Sequence, residues 1–335
     1  MASGLEHMMK AFLTALIIVL LTASFAFSGN IRVLILDGEF GNIPEQGEDL
    51  DKLDRIKGQL LVSHLRYTGD IEVWKGRKGL YLINELPIED YIKNVVKAEV
   101  AEDWDMEALK AQAVITRTYA VYNMMKNGGG KFDLTSSVLH QVYRGDTKDT
   151  RVSYAVIKTE GEILTYEGKP IEALYHSTSG GMTENPEDVF GFERPYLKAV
   201  KTDCDISPYS IWARRIPLGE MGEALKTNEL KDIKIKSYTS TGRVKELEII
   251  SDSENITITG NEFRKMLGWK RLPSTNFTLS IEEGDAVFEG RGYGHGVGLC
   301  QWSSLQMAKD GKTYREILSY FYPGTSIELY EDKRL

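Results

Sequence analysis

The sequence predicts a mixed α+β fold, with mostly antiparallel strands and one helical segment in its first half. Three observations carry this. Short strand-like runs are separated by Gly, Asp, Asn and Pro, as in a meander. Two helical patterns follow one another between Pro87 and Asn127. No repeat period and no regular βαβ alternation runs through the 335 residues.

The N-terminus reads as a targeting segment. Lys10 precedes the apolar run Ala-Phe-Leu-Thr-Ala-Leu-Ile-Ile-Val-Leu-Leu, and smaller residues end in Ala26-Phe27-Ser28. This is the pattern of a secretory signal peptide over residues 1–28. A retained anchor also fits, because the run to Phe27 is nearly long enough to span a bilayer. Either way the rest of the chain is expected to be exported, to a periplasm, a cell wall or the extracellular space. Any membrane contact is expected only through this segment.

Residues 29–85 read as a β-rich region and 86–330 as the main domain. Strands are predicted at Ile31 to Leu36, Gly58 to Tyr67, Ile71 to Trp74 and Leu80 to Asn84, with the acidic stretch Asp37 to Asp54 as a loop. Pro87 opens a helix whose Ile88, Tyr91, Ile92, Val95 and Val96 form one apolar stripe, with Glu99 at its end. Asp105 caps a second helix that stops at Asn127-Gly-Gly-Gly. Strands are then predicted from Ser153 to about Tyr175, followed by the loop His176-Ser-Thr-Ser-Gly-Gly. Residues 211–290 alternate strands (Val244 to Ile250, Ile256 to Thr259) with short helices such as Asn261 to Leu267. A helix through Met307 stops at Gly311. Thr313 and Glu316 form a capping box for the last helix, closed by Pro323-Gly324.

A composition of 42% hydrophobic and 27% charged residues is that of a globular protein. The net charge of −8 and the lack of any long basic run argue against a nucleic-acid groove, while leaving room for a local basic pocket. The two cysteines, Cys204 and Cys300, fit either a disulfide in an oxidising compartment or two buried thiols. Neither lies in a zinc-ligand spacing.

Arg117 sits among Leu109, Ala113, Val121 and Met124 on the helical wheel, where a guanidinium needs a carboxylate or a site wall. Glu99 is the expected partner. A half-buried carboxylate there suits general acid/base work, because desolvation raises its proton affinity and a cation lowers it. Spacing alone leaves Glu102, Asp103 and Asp188 as rivals, and an ion pair under the core as an equal reading of Arg117. Tyr175-His-Ser-Thr-Ser-Gly-Gly offers hydroxyls, an imidazole and backbone N–H groups that suit a sugar, although a plain Ser/Gly turn fits as well. No G-x-S-x-G elbow is present. Gly292-Tyr-Gly-His-Gly-Val-Gly fails the dinucleotide register, since Val297 stands where a glycine is needed. Its glycines instead allow tight turns that hold His295, as a site residue or as a core histidine, against another element.

An ordered set of segments carries a family resemblance. These are Leu86-Pro-Ile-Glu-Asp-Tyr-Ile with Val96-Lys-Ala-Glu-Val, Ala108-Leu-Lys-Ala-Gln-Ala-Val with Thr116-Arg-Thr-Tyr-Ala, and Tyr175-His-Ser-Thr-Ser-Gly-Gly-Met-Thr-Glu. Gly242-Arg-Val, Gly260-Asn-Glu-Phe-Arg, Gly290-Arg-Gly-Tyr-Gly-His-Gly-Val-Gly-Leu-Cys-Gln and Phe321-Tyr-Pro-Gly-Thr follow in order. Together, over roughly residues 31–329, they resemble the SpoIID/LytB family, named for a sporulation protein and an amidase enhancer. The resemblance implies a SpoIID-like fold whose helical segment is catalytic. It implies a peptidoglycan lytic transglycosylase that cuts the MurNAc–GlcNAc bond and leaves 1,6-anhydroMurNAc ends. It makes Glu99 the catalytic glutamate, with Arg117, Gln112, Tyr175, His176, Ser177, Ser179, Gly180, Gly181 and His295 as substrate-binding residues. Some sporulation members carry a zinc cluster after the catalytic helix. Here Leu139-His-Gln-Val-Tyr-Arg has no cysteine, so neither metal nor cofactor is expected. The expected partners are glycan strands and, in the amidase-enhancer reading, an N-acetylmuramoyl-L-alanine amidase that a non-catalytic glycan binder would assist. A hydrolytic muramidase differs only in letting water attack.

Overall fold

The computed structural model describes residues 29–331, except 37–41, 46, 102, 138–140, 147–148, 228 and 253–254. The stretch expected to be a targeting segment, residues 1–28, and Glu102 therefore lie outside the described residues. Among those described, no helix is long and apolar enough to cross a membrane.

The chain opens with β1 (Asn30–Ile35), β2 (Asp51–Ile56), β3 (Gln59–Val62), β4 (Leu65–Thr68), β5 (Asp70–Gly76) and β6 (Gly79–Pro87). A five-stranded sheet has the order β2-β5-β6-β1-β7, where β7 is Leu134–Thr135 and joins β1 in parallel. Two expectations are corrected here. Residues 51–54 belong to edge strand β2 rather than to a loop; its residues are exposed as far as Arg55 and mostly charged, so no apolar alternation marks it. Gly58 to Tyr67 is not one strand but the hairpin β3–β4, turned by Ser63 and His64 with positive φ.

Helix α1 (Ile88–Glu99) buries the predicted stripe, and α2 (Met106–Lys126) starts on Asp105, whose side chain accepts the Glu107 N–H. Along α2 nearly every residue from Ala108 to Met124 is buried. That helix is the axis of the molecule, not a surface helix with one apolar stripe. Helix α3 (Thr150–Lys158) replaces the strand expected from Ser153. Asp149 caps it through the Arg151 and Val152 N–H groups, and Val152, Ala155 and Val156 form its buried face. The cap and the helical spacing of that face decide for a helix.

Next come β8 (Glu162–Tyr166), β9 (Lys169–Pro170), β10 (Tyr175–His176) and α4 (Pro186–Phe190). A second unit follows: β11 (Trp212–Pro217), α5 (Leu218–Leu225), β12 (Leu230–Tyr238), β13 (Val244–Ser251), β14 (Asn255–Thr259), α6 (Gly260–Leu267), β15 (Phe277–Glu282) and β16 (Asp285–Gly290). Its two antiparallel sheets, β11-β16-β15 and β12-β13-β14, enclose a separate core containing Met221, Leu247, Phe263, Phe277 and Phe288. The chain then returns through β17 (Leu299–Cys300), α7 (Gln301–Lys309), α8 (Tyr314–Phe321) and β18 (Ser326–Leu329). The capping box of Thr313 and Glu316 is formed. Helices α1, α3, α7 and α8 and strand β8 pack around α2. The large core runs from Ile31 to Tyr322 without a break at residue 85.

The glycine-rich segment shows why its glycines alternate. Gly292, Gly294, Gly296 and Gly298 all have positive φ. A Cβ on Gly294 would lie 2.8 Å from the His176 Cβ, and one on Gly298 would overlap the Leu174 carbonyl. The segment is thus pressed backbone to backbone against residues 174–179, and β17 continues it as a parallel partner of β10.

Gly298→Ala should destabilise the chain by roughly 3 kcal/mol or more, since it adds both a left-handed strain and a backbone clash. Urea denaturation checks this; a loss below about 1 kcal/mol would mean the segment is not held so tightly.

Candidate active site

Glu99 is the last residue of α1, and Val100 leaves the helix in an extended conformation, so its side chain faces the junction of α1 with the segments that follow. One carboxylate oxygen accepts the Val142 N–H at 3.0 Å. Burial is the largest influence on Glu99 and raises its pKa; the Val142 N–H, the Tyr175 phenol, the Gln301 amide and the Arg144 charge all oppose this. The carboxyl therefore holds its proton more tightly than a surface glutamate, yet its ionised form has partners waiting.

Tyr175 lies against this carboxyl from β10. Its hydroxyl is buried and, among the described residues, has no hydrogen bond of good geometry. Burial and the nearby Glu99 charge push its pKa well up, so it stays a neutral phenol with a proton to donate. A chain of buried side-chain amides closes the site. Gln301, first residue of α7, donates to Gln112 at 3.3 Å, and Gln112 donates to the Thr116 hydroxyl at 3.2 Å. Gln141 donates to the Thr116 carbonyl at 3.2 Å and accepts the Tyr91 hydroxyl at 3.0 Å. Fully satisfied polar networks of this kind fix side-chain positions.

Of the predicted site residues, the structure brings Glu99, Tyr175 and Gln112 together. Gln141, Gln301 and Tyr91 also belong to the site, although no periodicity marks the two glutamines. A Gln directly after Gly298-Leu-Cys at a helix start was the available signal for Gln301, and Tyr91 reads only as part of the apolar stripe.

Arg117 follows the reading of an ion pair under the core, and the reading that pairs it with Glu99 is corrected. It is fully buried, but its guanidinium forms a two-pronged pair with Glu89, at 2.7 Å on each prong, and donates to the Glu162 carbonyl at 3.0 Å. The expected pairing with Glu99 is not what forms. Helices α1 and α2 fold back on one another, and Glu89 and Arg117 stand equally far from the connection between them. Glu99 is about ten residues, roughly 15 Å of helix, nearer that connection.

Successive residues of a strand face opposite ways, and this divides the Tyr175 loop. Tyr175 faces Glu99, whereas His176 turns into the protein: its Nδ1 meets the Val297 carbonyl at 3.1 Å and its ring lies 5.6 Å from that of His295. His295 Nδ1 accepts the Val297 N–H. Burial, foremost, pulls both imidazoles down, His295 to about 4, so both are neutral near neutrality. Ser179 is fully buried, its hydroxyl 2.6 Å from that of Thr202. Gly180 packs on Arg291, while the next residue, Gly181, is exposed. Ser177 is half-buried, and its carbonyl accepts the Trp302 N–H. Of the rival acids, Asp103 is exposed, and Asp188 pairs with Lys245 at 2.9 Å.

Comparison with known proteins gives a consistent family. Residues 76–166 match the family described as Stage II sporulation protein (SpoIID), and residues 212–298 match a domain of unknown function, DUF8618. The chain is 32% identical to the Stage II sporulation protein D of Bacillus subtilis strain 168, over 73% of this chain and 75% of that one. It is 36% identical to an uncharacterised protein of Brachyspira hyodysenteriae, over 79% and 73%. The Amidase enhancer of Bacillus subtilis is 28% identical over 71% of this chain, but only 40% of its own length.

Two variants separate framework from site. Arg117→Met should cost about 3 kcal/mol by leaving the partly buried Glu89 without its cation, with only the Gly161 N–H still donating to it. Glu99→Gln should behave differently. Because burial raises the Glu99 pKa, its contribution to stability is complete below the unfolded value of about 4.3 and is lost as pH rises through the folded value. The neutral amide escapes that loss, so Glu99→Gln should match wild type in acid and exceed it at neutral pH. Melting temperatures at both pH values check this, and a variant less stable at neutral pH would contradict it.

Proposed function

The chain belongs to the stage II sporulation protein D (SpoIID) family, and from that premise we propose that it is an exported, cell-wall-acting enzyme that cleaves peptidoglycan glycan strands as a lytic transglycosylase. The observation that carries this reading is the Glu99 carboxyl: raised in proton affinity by burial, anchored by the Val142 N–H, and faced by the neutral phenol of Tyr175.

One such group suffices for the reaction. Protonated Glu99 gives its proton to the glycosidic oxygen as the bond to the MurNAc anomeric carbon breaks. The carboxylate left behind is supported by Val142 N–H and Gln301, and the Tyr175 phenol has a proton to offer the same region. Glu99 then takes the proton of the sugar's own 6-hydroxyl as that oxygen attacks the anomeric carbon, closing the anhydro ring and restoring the acid. No water is consumed and no second carboxylate is needed, unlike in the two-carboxylate hydrolases. The amide chain of Gln112, Gln141 and Gln301 keeps the site rigid. Arg117 acts at a distance, by holding the framework rather than the sugar.

The relative named Amidase enhancer motivates a second reading, in which the chain binds glycan and assists an amidase without cutting. A buried proton-holding carboxyl is not needed for that task, which favours the enzyme.

Wild type and Glu99→Gln are incubated with intact and peptide-free glycan strands, and products are read by mass. Anhydro-ended fragments are expected from wild type, with the rate reduced roughly 10²–10⁴-fold in the variant. Fragments heavier by one water would indicate a muramidase, and bound but uncut glycan with both proteins would favour the amidase-assisting reading. The wild-type rate should also fall as pH rises through the raised Glu99 value, because the proton donor is then lost; a rate that climbs across that range would remove Glu99 as the acid.

A further inference from the structure

Behind the Tyr175–His176 strand, the two cysteines meet. Both are buried and unbonded, and both sulfurs touch one residue: the Ser179 N–H lies 3.3 Å from Cys300 Sγ, and the Ser179 hydroxyl 3.5 Å from Cys204 Sγ. They come from distant parts of the chain. Cys204 begins the turn that leads to Ser207, whose hydroxyl holds Thr178 at 2.6 Å. Cys300 pairs with His176 in the strand ladder and immediately precedes Gln301 of the Glu99 site. Arg243 lies close by, fully buried; its Nε and Nη1 make no hydrogen bond among the described residues, and Nε stands 3.9 Å from the Glu184 carboxylate.

We propose that Cys204 and Cys300 are joined by an intramolecular disulfide when the chain folds in an oxidising compartment, and that this bond pins the Ser207 turn to the strand and helix that present Tyr175 and Gln301. The oxidant is an external disulfide. The Cys204 thiolate attacks it and releases one thiol; Cys300 then attacks the mixed disulfide at the Cys204 sulfur and releases the second. Two electrons pass to the external disulfide, and the two cysteine protons end on its thiols. Both sulfurs are buried in the folded chain, so the exchange belongs to folding, before the Ser207 turn closes over them. In the closed state burial pushes the Cys300 thiol well up, while the Cys300 thiol, foremost, with the Ser179 hydroxyl and the Gly180 and Gly181 N–H groups, outweighs burial at Cys204 and favours it as the thiolate. The bond would close a long loop that contains the whole second unit, the case in which a cross-link constrains the unfolded chain most. The inference depends on export and not on glycan cleavage, so it can fail or hold independently of the proposed reaction.

The test directs the full chain to an oxidising compartment with an export leader, blocks free thiols with N-ethylmaleimide at lysis, and purifies without reductant. The expected result is a mass two hydrogens below that of the reduced protein, no alkylated cysteine after denaturation, and a cross-linked peptide containing Cys204 and Cys300. Reduction should lower Tm by roughly 5–10 °C, and Cys204→Ala or Cys300→Ala should melt like the reduced protein and ignore reductant. Alkylation of both cysteines in the denatured, unreduced protein, or a cross-link found only between two chains, would overturn the proposal. The mass readout needs no variant, so it decides even where a substitution fails to fold.

Discussion

A guanidinium that no water reaches must be neutralised by the protein itself, and the arrangement around Glu99 depends on how this is done. Arg117 lies midway along a helix buried on nearly every side. Its pair with Glu89 and its bond to the Glu162 carbonyl tie together the start of α1, the middle of α2 and the start of β8. Fixing α1 at its first turn fixes the direction of the whole helix, and so the place where its last residue emerges. The ion pair is thus a positional device more than a source of net stability, since buried pairs recover little beyond their desolvation cost.

The site itself is a balance of opposed effects at one carboxyl. Burial favours the acid, while a backbone N–H, a phenol and an amide favour the carboxylate. A group asked to give and then take a proton needs both states to be accessible. The alternation of β10 does the remaining sorting. Tyr175 is given to the carboxyl, and His176 to the interior, where it and His295 lock the glycine-rich segment in place.

Much of this was legible in the sequence because it follows from local rules. The stripe of α1, the Asp105 cap of α2 and the capping box at Thr313 depend on residues within a turn or two of one another, and all are formed. Helix α3 was missed although Asp149 caps it, and β2 was hidden by its charges, because an exposed edge strand needs no apolar face. The partner of Arg117 could not be read from nearness along the chain. It depends on the register between two folded-back helices, which matches residues by their distance from the connection. Gln141 escaped for a related reason: what marks it is burial, and burial belongs to the assembled molecule, whereas Gln301 was marked by its place after Gly298-Leu-Cys.

The second unit has its own core, yet it is bound into the first. Arg243 donates to the Ser179 and Met182 carbonyls, and Glu184 accepts the hydroxyls of Thr239 and Thr241. These contacts brace the loop that follows Tyr175. The stretch matched by the sporulation family, residues 76–166, holds Glu99, Gln112 and Gln141 but ends before Tyr175 and Gln301. Cores and sites therefore divide this chain differently. An engineer seeking a minimal working fragment would find no cut point, because the residues that meet at one carboxyl lie on both sides of the inserted unit.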